Sequence, residues 1–324
     1  MRVDRIQLEV AGLALALLLT SGGNASAQQE LAALCAERAS QPATDAYCAL
    51  VVQAADILPG RVSIVAAGGN PVPGSPSTLG MSLGPLPRIS ANGRVMLSRA
   101  TLPAIQRAQD GNGDIDFVVT GLHADFSVGV FSGLAPFATI GGVGAIDLIA
   151  SAGVVHVPEG DGLNGENALT WGVGARLGIA RESFTAPGIS LSAMYRKLGE
   201  LAFGDGQLQD ADAFVNLDET ALWSFRAVAG KRITSLSVTA GLGYDRYSAD
   251  LLLQLRDGTA TVTVRDEYAA GRWNGFLNGT FTMLVLSATA ELGWQAGGEA
   301  PAGARSDQAS RGALFAGFAI RLAI

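Results

Sequence analysis

Cysteine is nearly absent from this chain of 324 residues, with Cys35 and Cys48 its whole complement. Their spacing is not C-x-x-C and neither histidine is near them, which argues against a redox pair or a metal site. Histidine is equally scarce, with only His123 and His156, and leaves little material for an acid, base and nucleophile cluster. Charged residues make up 16% and aromatics 6% of the sequence, and the net charge is -7. The acidic balance speaks against nucleic acid as a partner, and the aromatics are few for a membrane protein that anchors itself with aromatic belts. Past the N-terminus, no segment offers the roughly 20 uninterrupted apolar residues of a spanning helix.

What is present is dispersed apolarity. The mean hydropathy is +0.30, yet the apolar residues alternate with others and are interleaved with 42 glycines. Such a pattern fits strands that face lipid on one side, and also a soluble sandwich, since both alternate. At the N-terminus, Arg2 and Arg5, the apolar core Val10 to Leu19 and Ala25-Ser26-Ala27 read as a secretory signal peptide over 1–27, with cleavage after Ala27. The removed basic and acidic residues balance, so the acidic charge survives. Ala32-Ala33-Leu34-Cys35 has the outline of a lipid-modification box, but Cys35 lies far beyond the apolar core and follows Leu34 instead of a small residue, so lipidation is not expected.

Glu30 to Ile57 is the one region with helical spacing. Leu31, Leu34 and Cys35 recur helically, Gln41-Pro42-Ala43-Thr44 breaks the pattern, and Cys48, Val51, Val52 and Ala55 resume it before Pro59-Gly60. Two facing helices would bring Cys35 and Cys48 together, and the exported compartment is oxidising, so a disulfide is expected to pin this hairpin of residues 28–60. The hairpin is either a plug in a lumen or a periplasmic cap.

From Arg61 onward the chain becomes a succession of alternating segments. Val62, Ile64 and Ala66 share one face, as do Leu79, Met81 and Leu83; clearer examples follow at Leu122, Ala124, Phe126 and Val128, and at Leu286, Ala288, Ala290 and Leu292. The last stretch, Ala313 to Ile324, keeps Leu314, Ala316, Phe318, Ile320, Leu322 and Ile324 on one face to the final residue. This stretch resembles the closing strand of a bacterial outer-membrane β-barrel protein, although members of that class usually end in an aromatic. The resemblance implies an all-β fold: a transmembrane antiparallel up-and-down β-barrel of about twelve strands over 61–324, preceded by a short helical hairpin. It also implies a bacterial outer-membrane location, outer-membrane lipid as surroundings, and handling by the barrel-assembly machinery through the C-terminal strand.

Connection lengths support the same expectation. Long links such as His156 to Ala168 and Gln295 to Gly312 alternate with tight ones such as Gly230 to Ile233, the asymmetry of such a barrel. Leu251, Leu253 and Leu255, followed by Val262 and Val264 across Asp257-Gly258, read either as a separate projecting hairpin or as the upper half of two long strands.

On this register the face away from lipid carries Arg88, Arg94, His123, Asp125, Asp147, Arg176, Arg196, Arg226, Glu291 and Arg321. A basic-leaning lumen under acidic outer links could bias passage toward small polar or anionic solutes, while the plainer alternative is that arginines and carboxylates pair across a closed interior. Asp110, Asn112, Asp114 and Asp116 place oxygens at alternate positions as a calcium loop does, but Ile115 stands where the loop needs glycine and Gly121 where it needs an acid. His123, Asp125 and Ser127 share one face, yet alternate strand residues stand about 6.6 Å apart, too far for direct nucleophile-to-base contact. No cofactor and no enzyme activity is expected. The function expected first is porin-like passive transport; the alternative is a structural or surface-interaction barrel with a closed interior.

Overall fold

A computed structural model describes residues 24–38, 42–80, 88–103, 105, 114–136, 141–160, 163–165, 167–204, 206–208, 212–257, 260–298 and 311–324. The chain forms two helices, α1 (Asn24–Arg38) and α2 (Pro42–Ala67), and then strands β1 (Ile89–Pro103), β2 (Asp114–Phe131), β3 (Ile146–His156), β4 (Glu159–Gly160), β5 (Leu163–Asn164), β6 (Asn167–Ala180), β7 (Gly188–Leu198), β8 (Leu201–Gly204), β9 (Ala213–Ile233), β10 (Leu236–Asp257), β11 (Ala260–Met283), β12 (Leu286–Gln295) and β13 (Ala313–Ala323). Ten of the strands close an antiparallel barrel in the order β1, β2, β3, β6, β7, β9, β10, β11, β12, β13 and back to β1. Closure pairs Gly93 with Ile320 and Arg94 with Ala319, so no edge of the main sheet stays open.

The barrel therefore holds ten strands where about twelve were expected. The segment Val62, Ile64 and Ala66, which alternates like a strand, is the end of α2. Its side chains are buried on every side, and a helix that is apolar all round shows no periodicity to distinguish it from a strand. Leu79 lies in an irregular strap at residues 68–80 that precedes the barrel, while Met81 and Leu83 lie outside the described residues, as do residues 1–23 of the expected signal peptide.

Helix α2 does not stop at Pro59-Gly60 as the sequence leads one to expect. Proline removes a backbone donor and kinks a helix, leaving carbonyls without partners. Here side chains of the barrel wall reach carbonyls on both sides of the proline: Gln295 donates to Gly60 O at 2.8 Å, and Tyr247 donates to Asp56 O at 3.2 Å. These donors lie far along the chain, which is why the local pattern gave no sign of them. Helix α2 touches β1, β2, β3, β9, β10, β11 and β13, so it sits inside the barrel. The lumen, one of the two placements left open for the hairpin, holds α2, while α1 packs on β11.

Cys35 and Cys48 are disulfide-bonded, with Cα atoms 5.7 Å apart across 13 residues of sequence. The bond ties α1 to α2 at their outer ends, and α1 in turn packs on β11. Closing a loop of this size contributes about 3 kcal/mol in the chain-entropy account.

The connections out of β1, β3, β7 and β12 share one end of the barrel; two-residue turns such as Thr234-Ser235 and Leu284-Val285 lie at the other, together with a longer link over residues 132–145 between β2 and β3. Leu251, Leu253 and Leu255 prove to be the upper half of long strands, since Leu253 pairs with Val264 and Leu255 with Val262 in one continuous β10–β11 ladder. At this outer end β9, β10 and β11 rise above the rest of the barrel, and β8 joins β9 while β5 pairs with β8. A bulge in β9, where Glu219 adopts a φ of 51°, resets which side chains face inward.

Around the wall, Val118, Leu122, Phe126, Leu242, Leu277 and Phe318 stand exposed, while Asn92, Thr239, Asn278 and Thr289 on the opposite face are buried. Apolar outside and polar inside is the arrangement of a barrel solvated by lipid. Trp171, Trp223, Trp273 and Trp294 are about half exposed on the outer face, and Tyr195 and Tyr244 pack beside two of them. These rings form an aromatic belt toward the outer end, where amphipathic rings favour the membrane boundary. The fold is that of bacterial outer-membrane β-barrels.

Candidate functional site in the lumen

The lumen holds α2 and the strap that follows it, and the wall contacts them at four levels. At the outer level the hub is Asp56, buried on α2. Tyr268 donates to its Oδ1 at 2.5 Å, Tyr247 donates to the same oxygen at 3.0 Å, and Arg272 pairs with Oδ2. Burial first, and the Asp56 charge second, push both phenols well above their usual range, so each remains a donor. An ionised carboxylate in an apolar setting needs this many partners to offset lost hydration.

One turn further, at the kink, Ser63 Oγ also donates to Gly60 O at 2.8 Å. Arg61 donates to Gln295 Oε1 at 2.8 Å and to Arg311 O at 2.9 Å.

The third level is the C-terminal end of α2. Gly68 N donates to Ile64 O at 2.8 Å with φ at +65°, the left-handed conformation that closes helices and favours glycine. A helix C-terminus carries unsatisfied carbonyls and a partial negative charge, and cations answer both. Arg226 donates to Gly68 O at 2.8 Å and Gly69 O at 3.1 Å, and Arg196 donates to Ala67 O at 3.5 Å. Arg94 lies against Gly68, where an added Cβ would meet its Nη1 at 2.2 Å. Two of these arginines are themselves compensated: Arg226 pairs with Asp245 at 2.8 Å and Arg94 with Asp125 at 3.2 Å, all buried. Glu291 accepts from Gly69 N at 2.8 Å and Asn70 N at 3.1 Å.

At the innermost level the strap is bound by Arg176 and Asp147. These two pair at 2.7 Å in full burial. Arg176 donates to Ser75 O at 3.1 Å, and Asp147 accepts from Leu79 N at 2.9 Å and from Gly80 N at 3.3 Å. Gly129 on β2 makes room here, because a Cβ there would lie 2.1 Å from Gly80 O.

Of the candidate lumen residues, Arg94, Asp125, Asp147, Arg176, Arg196, Arg226 and Glu291 thus converge on one plug, although they come from separate strands. His123 is buried beside Val65 of α2. Arg88 is exposed at the inner mouth, and Arg321 lines the cavity there. His123, Asp125 and Ser127 form no relay, because Asp125 is paired with Arg94 and Ser127 donates to Ser90 Oγ at 3.3 Å. Of the calcium candidates, Asp110 and Asn112 lie outside the described residues, and the Asp116 carboxylate is bonded to Arg99 and Thr101. Among the described residues no group of three or more His, Cys, Asp or Glu side chains is placed to hold a metal ion.

Sequence reasoning passed over Asp56, Arg61, Asp245, Tyr247, Tyr268, Arg272 and Gln295. A signal existed for the first: a single carboxylate in the apolar run Ala54 to Leu58 has to find partners if that helix is buried. For Asp245 and Arg272 the signal was their inward position in the period-two pattern. Arg61 was masked by its apparent place at the head of a strand.

No protein-family model matches the chain, and no curated relative matches it. Solved structures that it is similar to are outer-membrane barrels of differing roles. The translocator domain of the autotransporter NalP from Neisseria meningitidis shares 12% identity over 84% of this chain and 96% of that one, with a TM-score of 0.44. The outer membrane protease OmpT from Escherichia coli shares 10% identity over 75% and 96%, with a TM-score of 0.38. The outer membrane phospholipase A from Escherichia coli shares 8% identity over 78% and 98%, with a TM-score of 0.29.

Proposed function

We propose that this protein is a structural or surface-interaction barrel of the bacterial outer membrane, closed by its own N-terminal segment and presenting its raised outer end to partners. The observation that carries this reading is the set of arginines around the end of α2. In an open pore, lumen arginines face water and passing ions. Here Arg196 and Arg226 donate to the last carbonyls of a buried helix, and Arg94 packs on its closing glycine. Breaking a buried, compensated pair of this kind typically costs about 3 to 5 kcal/mol, which favours a lumen that stays occupied. Outer-membrane lipid is the surrounding that the exposed apolar wall requires, and assembly through the C-terminal strand follows from the same reading. No catalytic role is assigned.

The test is single-channel recording of refolded protein lacking residues 1–27 in a planar bilayer. The expected result is a folded, heat-modifiable barrel that passes no steady current, with intermittent openings once Arg94, Arg196 and Arg226 are changed to serine. A stable, anion-selective conductance from the unaltered protein would overturn this reading in favour of porin-like passive transport.

A further inference from the structure

A second group of arginines gathers at the inner mouth. Arg88, Arg181, Arg232 and Arg321 line a cavity of about 720 Å³ at the inner mouth, beside Glu182 and Ser77. The cavity has a built wall. Lys231 donates to Ser183 O at 2.6 Å and Phe184 O at 2.7 Å, Arg232 N donates to Glu182 Oε1, and Glu182 N donates to Ser77 Oγ at 2.9 Å. The connection after β6 is thereby tied to the end of β9 and to the strap.

Arg321 makes the cavity chemically incomplete. It is only 4% exposed, and its Nε and Nη1 are buried with no partner. Its cross-strand neighbours are Asn92 and Ser287, neither of them an acid. A guanidinium cannot lose its charge, and a buried one normally has an anion beside it. Among the described residues Arg88 and Arg181 each donate to a carbonyl, Leu79 O at 3.4 Å and Ser132 O at 3.1 Å. Two carboxylates line it among the described residues: Glu182, with one oxygen committed to a backbone amide, and the terminal carboxylate of Ile324, which accepts from Ile89 N at 2.9 Å.

We propose that the inner mouth binds a phosphate group, with Arg321 beneath it and Arg88, Arg181 and Arg232 around it. Four guanidiniums outnumber the Glu182 and Ile324 carboxylates by two, the charge of a phosphate dianion, and planar guanidiniums match phosphate oxygens in pairs. The cavity is larger than phosphate alone, so the group is carried by a larger molecule, either a soluble phosphate ester or a phospholipid headgroup of the inner leaflet.

The experiment uses the refolded chain in phosphate-free non-ionic detergent and in nanodiscs. One arm titrates glycerol 3-phosphate by calorimetry, with succinate as the carboxylate control. The other measures by mass spectrometry whether phosphatidylglycerol is retained over phosphatidylcholine. Binding in the first arm identifies a soluble ester, and retention in the second alone identifies a headgroup. In either case Arg321→Gln is expected to weaken binding at least about tenfold, and to raise the thermal midpoint in phosphate-free buffer by removing an uncompensated buried charge. The double variant R88Q/R232Q alters exposed residues only and is expected to weaken binding without changing that midpoint. No phosphate binding in either arm, succinate bound as tightly as phosphate, or binding unchanged in R88Q/R232Q would overturn the proposal.

Discussion

Strands β10 and β11 pass through two regions with opposite rules. In the lower part Leu242 and Leu277 face outward and are 66% and 55% exposed, while Asp245, Arg272 and Asn278 face inward and are buried. Above the aromatic belt the sides exchange. Tyr247, Ala249, Leu251, Leu253 and Leu255 are buried, as are Val262, Val264, Tyr268 and Ala270, and they pack with α1 and α2. The outward face now carries Arg246, Asp250, Arg256, Arg265 and Glu267. The ladder and its handedness are continuous through the exchange; what changes is the solvent. Lipid selects apolar residues for the outer face, whereas water selects them for the inner one. The exchange therefore marks the membrane boundary, and the raised end is a water-facing module built on the strands of a lipid-facing barrel.

The sharpest way to break this comparison is one substitution, made twice on β11. Val264→Arg places a charge in the fully buried outer core against the helices, and a change of this kind typically costs more than about 4 kcal/mol. Leu277→Arg places it on the lipid face opposite Ala240, where the cost is about 2 to 4 kcal/mol near the midplane and applies only in an apolar surrounding. Limited proteolysis should find the outer module of Val264→Arg open while its barrel stays heat-modifiable on a gel. Leu277→Arg should show the reverse, a less stable barrel in lipid vesicles with a protected outer end. Equal losses in both assays for both variants would mean that the regions are one cooperative unit.

A smaller effect sharpens the same division. Cys48→Ser removes a cross-link whose two ends both lie in the helices, joining α1 to α2. The outer module should lose about 3 kcal/mol, read as faster proteolysis near α1. Barrel melting should stay within about 0.5 kcal/mol of the parent, as for a site away from the barrel's own packing.

The division also accounts for what could be read from the sequence. Period-two alternation holds wherever one face of a strand meets a different medium from the other, so the lipid-facing strands were legible, as was the inward position of Arg176 or Asp125. Alternation says which face, not which medium. Leu251, Leu253 and Leu255 therefore left two readings open, and only the pairing with β9 and β11 decides that they look inward. Val62, Ile64 and Ala66 misled for the converse reason, because a helix surrounded by protein has no contrasting face. The plug contacts were least legible. Asp56 meets Tyr247, Tyr268 and Arg272 roughly two hundred residues away, through closure of a barrel that local patterns do not encode.

The smallest expected effect lies at the boundary on the other side of the barrel. On β1 the outward face runs Val95, Leu97, Arg99 and Thr101, so it turns polar just above Leu97. Asp116 on β2 answers it, paired with Arg99 at 2.6 Å and accepting from the Thr101 hydroxyl. The Thr101 hydrogen bond first, and Arg99 second, hold the Asp116 carboxyl below its usual range. A depressed carboxylate stabilises the folded state at pH values above its unfolded pKa, and that contribution is lost as pH falls through the lower folded value. The pair is exposed, so the change in global stability should be near the limit of detection. Its signature is local: by NMR in detergent, Asp116 should titrate below other exposed aspartates, and Thr101→Val should return it toward them more than Arg99→Gln does. If Asp116 titrates with the others in the parent protein, the polar boundary at this edge is not fixed by this pair, and the exchange of faces on β10 and β11 alone marks where the membrane ends.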